Sequence, residues 1–175
     1  MQTDTEKNVR LRIAGITDDS IVDGPGIRLT VFVQGCPHNC DGCHNPQTHD
    51  FSAGTDITLG EIMDRINANP LLDGVTFSGG EPFCQADALS KLGRMIREKG
   101  LNIITYSGYT YEYLREHSDS HNCYGELLAV SDHLVDGPFI LAERDLTLKF
   151  RGSKNQRIID LKSSAEHGKA VTADI

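Results

Sequence analysis

The sequence predicts an α/β fold in which helical crossovers connect the strands of a mostly parallel sheet, and three observations support this prediction. Strand-like and helix-like segments alternate about three times along the chain, which is the pattern of parallel strands joined by right-handed crossovers. The chain has 175 residues, too few for a closed β/α barrel of roughly 250 residues. The residues with unusual chemistry follow directly after the strands. A partial, incomplete β/α barrel or an open sheet fits all three observations.

The first third of the chain is expected to contribute two strands to this sheet. Residues 1–8 are polar and are expected to be a flexible N-terminus. Residues 9–16 alternate apolar and polar side chains, which indicates an edge strand. Asp23-Gly24-Pro25-Gly26 forms a tight turn, and the apolar run within residues 27–34 is typical of a buried strand. Residues 50–56 are expected to be irregular.

Helices and strands then alternate. Thr58 and Glu61 match a capping box at the start of a helix, and Asn69-Pro70 ends it. A second helix covers about 85–99, with Gly100 in the C′ position. The remaining expected elements are strands 74–78, 101–106, 133–135, 146–150 and 157–161, helices 111–117 and 124–131, and a turn at 151–153.

Composition limits the organisation and the partners of the chain. We expect one domain over residues 9–162, followed by a flexible polar tail over 163–175. The net charge of −8 argues against nonspecific nucleic-acid binding, which depends on neutralising phosphates. No apolar run approaches the roughly 20 residues of a membrane span, and the polar start lacks the apolar region of a signal peptide. We therefore expect a cytoplasmic protein with neither a nucleic-acid nor a membrane partner.

The most informative stretch holds three cysteines in one loop after the predicted buried strand. Cys36, Cys40 and Cys43 have the spacing C-x3-C-x2-C. A cubane iron–sulfur cluster takes four cysteines, so three leave one iron without a protein ligand, and an open coordination position marks a reactive centre. The alternative is a zinc site completed by His38 or His44. It is the less favoured interpretation because the second C-x2-C pair of zinc ribbons is absent.

Two further loops follow predicted strands and are expected at the same rim of the sheet. Gly79-Gly80-Glu81 is on its own most simply a turn. Glycines there also let a ligand lie against the backbone, with Glu81 or neighbouring carbonyls accepting an ammonium group. Ser107-Gly108-Tyr109 would pass near the same ligand. Asp136 would hold a ribose hydroxyl or shape the rim, and an ordinary loop role is preferred for it.

Two other features have simple interpretations. Cys84 and Cys123 are best explained as small, buried or partly exposed residues, since a disulfide is disfavoured in a reducing compartment. Residues 144–162 carry a local excess of basic side chains. A solvated face is the favoured explanation, and a docking surface for an acidic protein partner is the alternative.

The sequence resembles a known family well beyond the cysteine loop. It is similar to the radical S-adenosylmethionine (SAM) glycyl-radical activating enzymes, and within them to the activating proteins of the anaerobic ribonucleoside-triphosphate reductase. The similarity covers roughly residues 9–162. The matching motifs are Ser20-Ile21-Val22-Asp23-Gly24-Pro25-Gly26-Ile27-Arg28, Phe32-Val33-Gln34-Gly35-Cys36, Cys43-His44-Asn45-Pro46, Ser78-Gly79-Gly80-Glu81-Pro82, Thr105-Tyr106-Ser107-Gly108-Tyr109-Thr110, Leu134-Val135-Asp136-Gly137-Pro138-Phe139 and Arg151-Gly152-Ser153-Lys154-Asn155-Gln156-Arg157.

The resemblance implies a radical SAM partial barrel and a defined chemistry. Cys36, Cys40 and Cys43 would hold one [4Fe-4S] cluster whose open iron chelates the amino and carboxylate groups of SAM. The residues expected to contact SAM are Gly42, Cys43, His44, Gly79, Gly80, Glu81, Gly108 and Tyr109. Gly42 departs from the aromatic residue that is common before the third cysteine, which leaves the adenine contact open, with His44 or backbone as candidates.

The reaction implied by the resemblance begins with one electron from a low-potential donor such as a flavodoxin. SAM is cleaved to methionine and a 5′-deoxyadenosyl radical, which takes a hydrogen atom from a glycine near the C-terminus of the reductase. The alternatives are an activase of another glycyl-radical enzyme such as pyruvate formate-lyase, and a small-molecule radical SAM enzyme such as a deazapurine ring-contracting synthase. An electron-transfer or zinc-binding module is the non-enzyme alternative.

Overall fold

The structure is a computed structural model that describes residues 4–175; residues 1–3 of the predicted flexible N-terminus lie outside the described residues. The strands are β1 Arg10–Ser20, β2 Arg28–Val33, β3 Thr55–Thr58, β4 Gly74–Gly79, β5 Asn102–Tyr106, β6 His133–Asp136 and β7 Arg157–Asp160. The helices are α1 Asp4–Lys7, α2 Leu59–Ala68, α3 Ala86–Glu98, α4 Tyr111–Glu116, α5 Tyr124–Val130 and α6 Leu161–His167.

The strands of residues 4–175 form one seven-stranded sheet in the order β3-β1-β2-β4-β5-β6-β7. The central strands β2, β4, β5 and β6 are parallel, and helices connect them. Strands β1 and β3 extend one side antiparallel, and β7 pairs antiparallel with β6 on the other. The sheet does not close, so the predicted α/β class and incomplete barrel are confirmed. Across the described residues, every helix is too short or too polar to cross a bilayer.

The two faces of the sheet have different roles because side chains alternate along each strand. One face meets α2, α3 and α5 and forms the main core. Its sheet residues include Leu29, Val31, Val33, Val75, Phe77, Ile103, Leu134 and Ile159. In β4, Thr76 and Ser78 fall on the opposite face by the same alternation, and Ser78 lines the cavity described below. On the same face, Ile104, Val135 and Ile158 form a second, smaller apolar cluster. The main core and the cavity therefore lie on opposite faces of the sheet.

The helix boundaries follow the predicted signals. The Thr58 hydroxyl accepts the Glu61 N–H at 3.2 Å, and the Glu61 carboxylate accepts the Thr58 N–H at 2.8 Å, so the capping box is confirmed. The buried face of α2 is Leu59, Ile62, Met63 and Ile66, which lie at helical spacing. After α3, Gly100 has φ +77°, the left-handed conformation expected of a C′ glycine.

The predicted edge position of residues 9–16 is wrong. Strand β1 lies inside the sheet, paired with β2 on one side and with β3 on the other. The edge belongs to β3, part of which falls in residues 50–56 that were expected to be irregular. Arg10 pairs with Thr58 and Ile13 with Thr55. These contacts join residues more than 40 positions apart, so a local sequence pattern does not reveal them.

Residues 146–150 do not form the predicted strand. The Thr147 hydroxyl and N–H both donate to the Asp145 carboxylate, which bends the chain into a turn. Phe150 then takes φ +59°, a left-handed conformation that ends any extended run. The predicted strand at 157–161 does form, as β7.

The segment 163–175, expected to be a frayed tail, contains regular structure. Asp160 caps α6 by accepting the Ser163 N–H at 2.8 Å. Beyond α6, the Asp160 N–H donates to the Val171 carbonyl and the Ala173 N–H to the Ile158 carbonyl, each at 2.8 Å. The chain end thus returns along β7 and extends the sheet. At the other end, Asp4–Lys7 within the predicted flexible N-terminus forms a short helix.

Candidate active site

A cavity of about 720 Å³ opens on the face of the sheet opposite the main core. Its walls include the loops that follow β2, β4, β5 and β6, as predicted from the positions of the motifs, and also the end of β1 and the β1–β2 connection. The predicted site residues that line it are Cys36, Cys40, Cys43, His44, Gly79, Gly80 and Gly108. Parallel strands place their carboxyl ends at one edge of a sheet, and this arrangement brings Cys36, Gly80 and Gly108 to one cavity although they are distant in sequence.

The three loop cysteines are half-buried and line the same wall. Burial raises the pKa of the Cys36 thiol to about 11, so without metal this thiol is protonated at neutral pH and must release its proton to become a ligand. The Cys43 sulfur accepts the Asn45 N–H at 3.4 Å. Among residues 4–175, no three His, Cys, Asp or Glu side chains are placed to hold a single metal ion.

The two histidines considered as zinc ligands have other contacts. His38 Nε2 lies 2.6 Å from the Glu81 carboxylate, and its ring meets the Tyr109 ring edge-on at 4.5 Å. The His44 ring lies 5.2 Å from that of Phe139. His38 therefore ties the cysteine loop to the loop after β4, while His44 faces the apolar wall of the cavity.

The Glu81 side chain is completely buried and its carboxylate is already fully engaged. It accepts the Phe83 N–H at 3.0 Å, the Gly108 N–H at 2.9 Å and the Ser107 hydroxyl at 3.0 Å, in addition to the His38 contact. The carboxylate therefore links the loops that follow β2, β4 and β5 through its hydrogen bonds. Of the two expected sources of an ammonium contact, the backbone carbonyls beside Glu81 are the accessible one, since Gly79 and Gly80 line the cavity.

The glycines of the site allow close packing of the loops. A Cβ on Gly80 would collide with the Gly35 carbonyl oxygen, and one on Gly108 would lie 2.5 Å from the His38 ring. Gly79 has φ +93°, which favours glycine. The absent side chains thus bring the loops after β2, β4 and β5 into mutual contact. The direct ligand contact expected of these glycines stays a prediction.

Gly42 and Tyr109 lie outside the cavity wall. Gly42 has φ +72°, and a Cβ there would lie 2.8 Å from the Leu141 side chain, so it turns the cysteine loop against the segment after β6. The Tyr109 ring stacks on the Tyr113 ring at 4.7 Å. Both residues shape the loops behind the cavity, and their expected contact with SAM remains a prediction.

The loop before β7 supplies part of the cavity that the sequence motifs did not assign to it. Arg151 and Gln156 line the wall together with Phe150 and Gly152. The Gln156 amide oxygen accepts the Gly152 N–H at 2.8 Å, and its nitrogen donates to the Gly137 carbonyl at 3.1 Å. The run from Arg151 to Arg157 was noted only as a stretch that resembles the family, and the fold shows that it reaches the cysteines.

Asp136 is buried and does not line the cavity. Its carboxylate accepts the Tyr111 N–H at 2.8 Å and pairs with Arg157 at 2.5 Å. Arg157 also binds Glu112 at 2.7 Å. This pairing is structural and matches the ordinary loop role preferred for Asp136. It also shows that the basic residues of 144–162 do not share one solvated face, because Arg157 joins β7 to α4 and Arg151 lines the cavity.

Comparison with known proteins agrees with this geometry. Residues 22–159 match the family described as a 4Fe-4S single cluster domain. The fold and the three-cysteine loop therefore define the chain as a single-cluster iron–sulfur protein.

Named relatives narrow this class. The anaerobic ribonucleoside-triphosphate reductase-activating protein of Vibrio cholerae is 40% identical over 79% of this chain and 90% of its own length. The Escherichia coli K12 protein of the same name is 32% identical over 81% of this chain and 94% of its own length. The chain belongs to the family of anaerobic ribonucleoside-triphosphate reductase-activating proteins.

Two further similarities are more partial. The pyruvate formate-lyase-activating enzyme of Clostridium pasteurianum is 38% identical over 62% of this chain, and the chain spans only 49% of that enzyme. The crystal structure of QueE from Escherichia coli matches with a TM-score of 0.45 and 18% identity, over 58% of this chain and 53% of QueE.

Proposed function

We propose that this chain activates an anaerobic ribonucleoside-triphosphate reductase by generating a glycyl radical in the C-terminal region of that enzyme. One observation carries the proposal: the three thiols and the glycine loops after β4 and β5 line one cavity, in a chain from the family of reductase-activating proteins. The cavity would hold a [4Fe-4S] cluster and SAM. When bound, they supply a one-electron reductive cleavage of SAM that provides the hydrogen-abstracting radical.

The residues of the cavity fit this cofactor pair. Three thiolates leave one iron of a cubane without a protein ligand, and SAM can bind there. The Asn45 N–H donates to the Cys43 sulfur, and the fixed backbone of Gly79 and Gly80 faces the same space. Phe139 and Phe150 add apolar surface to the wall, which limits the access of water to a reactive intermediate.

The mouth of the cavity suits a protein substrate. Ile21 and Val22 are 71% and 72% exposed, and Leu146 is 79% exposed. Val22 and Leu146 line the cavity. Exposed apolar side chains clustered around a site indicate a protein interface. In the proposed function, the glycine-bearing loop of the reductase covers this mouth and closes the cavity.

Two further parts of the proposal concern the electron and the compartment. A low-potential donor such as a flavodoxin supplies the electron, since cysteine-ligated, partly exposed clusters have low potentials. The protein acts in the cytoplasm, without a nucleic-acid or membrane partner, and its acidic net charge of −8 is in keeping with this.

The test is anaerobic reconstitution with iron and sulfide, followed by reduction in the presence of SAM and the reductase. We expect about four irons per chain, 5′-deoxyadenosine as product and a glycyl radical signal in the electron paramagnetic resonance (EPR) spectrum of the reductase. Single Cys36→Ser, Cys40→Ser and Cys43→Ser variants should lose the cluster, whereas Cys84→Ser and Cys123→Ser should retain it. A glycyl radical formed only in pyruvate formate-lyase would show that the reductase is not the partner. A colourless protein that binds one zinc ion would refute the proposed function.

A further inference from the structure

Arg151 is a cation on the cavity wall whose charge has no partner. It lines the same space as the three cysteines. The ion pairs found among residues 4–175 do not include it. Its Nε is the one buried side-chain nitrogen or oxygen among these residues that lacks a hydrogen-bond partner. Buried polar groups are almost always satisfied, so an exception in the wall of a cavity points to a ligand.

The unsatisfied atom belongs to the edge of the guanidinium that recognises carboxylates. Arg151 Nη1 donates to the Gln156 carbonyl at 2.7 Å, which fixes one side of the planar group. Nε and Nη2 remain, and together they form a fork for two parallel hydrogen bonds to one carboxylate. A cation left in this state without an anion carries an uncompensated desolvation cost.

The backbone on both sides of Arg151 is fixed by hydrogen bonds within the protein, so the position of this residue does not depend on a ligand. Phe150 has φ +59°, a conformation that costs free energy in a residue with a side chain and marks functional sites. The Tyr106 hydroxyl donates to the Phe150 carbonyl at 2.6 Å. On the other side, the Gly152 N–H and Ser153 N–H both donate to the Gln156 amide oxygen. Arg151 is thus attached to a loop fixed from both sides.

The cavity itself offers no anion for this fork. Asp23 is the only carboxylate of residues 4–175 that lines the cavity. Its oxygen already accepts the Ser20 and Thr30 hydroxyls. A ligand must therefore bring the anion, and the single anionic group of SAM is its methionine carboxylate.

We propose that Arg151 binds the carboxylate of SAM through Nε and Nη2 and so orients the methionine end of SAM towards the cysteine loop. This inference rests on the proposed function. It assigns a ligand contact to a residue outside the cysteine and glycine motifs, and it explains why the loop before β7 is built into the cavity.

The first experiment measures SAM affinity by equilibrium dialysis with the anaerobically reconstituted protein. Arg151→Gln removes the charge, Arg151→Lys keeps it without the fork, and Lys154→Gln removes an exposed charge from the same loop as a control. We expect Arg151→Gln to weaken SAM binding by about 10- to 100-fold, Arg151→Lys to weaken it less, and Lys154→Gln to leave it unchanged. Unchanged affinity in a folded Arg151→Gln variant with full iron content would overturn the inference.

The second experiment asks whether the carboxylate is the group that Arg151 meets. The probe is the carboxamide analogue of SAM. The wild-type protein should bind it much more weakly than SAM, whereas Arg151→Gln should discriminate far less between the two. An equal preference for SAM in both proteins would overturn the inference, because the two changes would then be independent.

EPR spectra of the wild-type and Arg151→Gln proteins distinguish failure of the proposed function from failure of this inference. SAM should shift the EPR spectrum of the reduced wild-type cluster at concentrations that leave Arg151→Gln unshifted, and saturating SAM should restore the shift. If wild-type protein binds no SAM, the proposed function fails and this inference with it. If wild-type protein binds SAM and activates the reductase while Arg151→Gln binds SAM equally well, this inference alone fails.

Discussion

At the scale of single residues, Glu81 shows why a motif can be recognised without its role being understood. The run Gly79-Gly80-Glu81 suggested that the Glu81 carboxylate or the carbonyls beside it accept an ammonium group of a ligand. In the structure the carboxylate is buried and binds His38, Ser107 and the Gly108 N–H. Sequence alone places the glutamate after β4, but the direction of its side chain depends on the loops after β2 and β5, which arrive from elsewhere in the chain.

Glu81→Gln is expected to destabilise the protein because the amide nitrogen cannot accept the hydrogen bonds that reach the second carboxylate oxygen. The Gly108 N–H and His38 then face a donor. We expect a loss of about 1.5–3 kcal/mol in the free energy of unfolding, as for buried hydrogen bonds to a charged group. Urea denaturation measures it. Glu61→Gln is the matched control, since glutamine also serves in a capping box, and its change should stay below about 0.5 kcal/mol. Equal stability of both variants would contradict the role of Glu81 in linking the three loops.

At the scale of elements, Gly93 in α3 illustrates how packing overrides helix propensity. The buried face of α3 includes Leu89, Leu92, Met95 and Ile96 at helical spacing, together with Gly93. A Cβ on Gly93 would lie 2.5 Å from Val130 Cγ2, so the glycine allows α5 to pack directly on α3.

Gly93→Ala is therefore expected to reverse the usual effect of this substitution. In an exposed helix interior, glycine to alanine raises the free energy of unfolding by about 1 kcal/mol. Here the clash with Val130 should lower it by about 1–3 kcal/mol. Thermal unfolding of Gly93→Ala, Val130→Ala and the double variant measures it. The double variant should lose less free energy of unfolding than the two single variants lose together, because Val130→Ala removes the clashing Cγ2 methyl group. Simple additivity would show that the helices separate without cost.

The C-terminal segment, residues 169–175, is expected to contribute to stability through its hydrogen bonds to α6 and β7. Val171 N–H donates to the Ser164 hydroxyl at 2.8 Å, and two backbone hydrogen bonds join the end to β7. Deleting residues 169–175 removes three hydrogen bonds and should cost about 2–3 kcal/mol, seen as a lower urea midpoint. Glu166→Ala, on the exposed side of α6, should change little. If the truncated chain is as stable as the full chain, the tail is frayed, as its polar composition suggested.

These elements show what the sequence could and could not predict about the fold. Helices α2 and α3 were predictable because their caps and apolar spacing are local. The parallel arrangement of the central strands followed from the alternation of elements. The position of β1, the edge strand β3 and the returning chain end depend on pairing between distant segments, for which no local pattern exists. For the same reason the three cysteines were predictable, whereas Arg151 required the fold that brings residues 36 and 151 to one cavity.

At the scale of the whole molecule, the sheet separates stability from function. The helices cover one face and build the core, while the other face and the carboxyl ends of the strands carry the cavity. The apolar side chains at the mouth are exposed to solvent in the isolated chain. Their position beside the cavity fits a surface that is covered when the reductase binds.

Ile21→Asp and Leu146→Asp are expected to weaken activation of the reductase while largely preserving the isolated protein. Placing a charge in a buried contact leaves it without a partner, so we expect glycyl radical formation at limiting reductase to fall at least about tenfold. Cluster content and the melting temperature should remain close to wild type, because both residues are more than 70% exposed.

The matched control for the docking surface is Leu71→Asp. Leu71 is 69% exposed and does not line the cavity. The control should activate the reductase like the wild-type protein. The comparison is made by the EPR amplitude of the glycyl radical over a series of reductase concentrations, since a docking defect raises the concentration needed for half-maximal activation. If Leu71→Asp and Leu146→Asp behave alike, the reductase does not bind at the mouth of the cavity, and the exposed apolar residues there need another explanation.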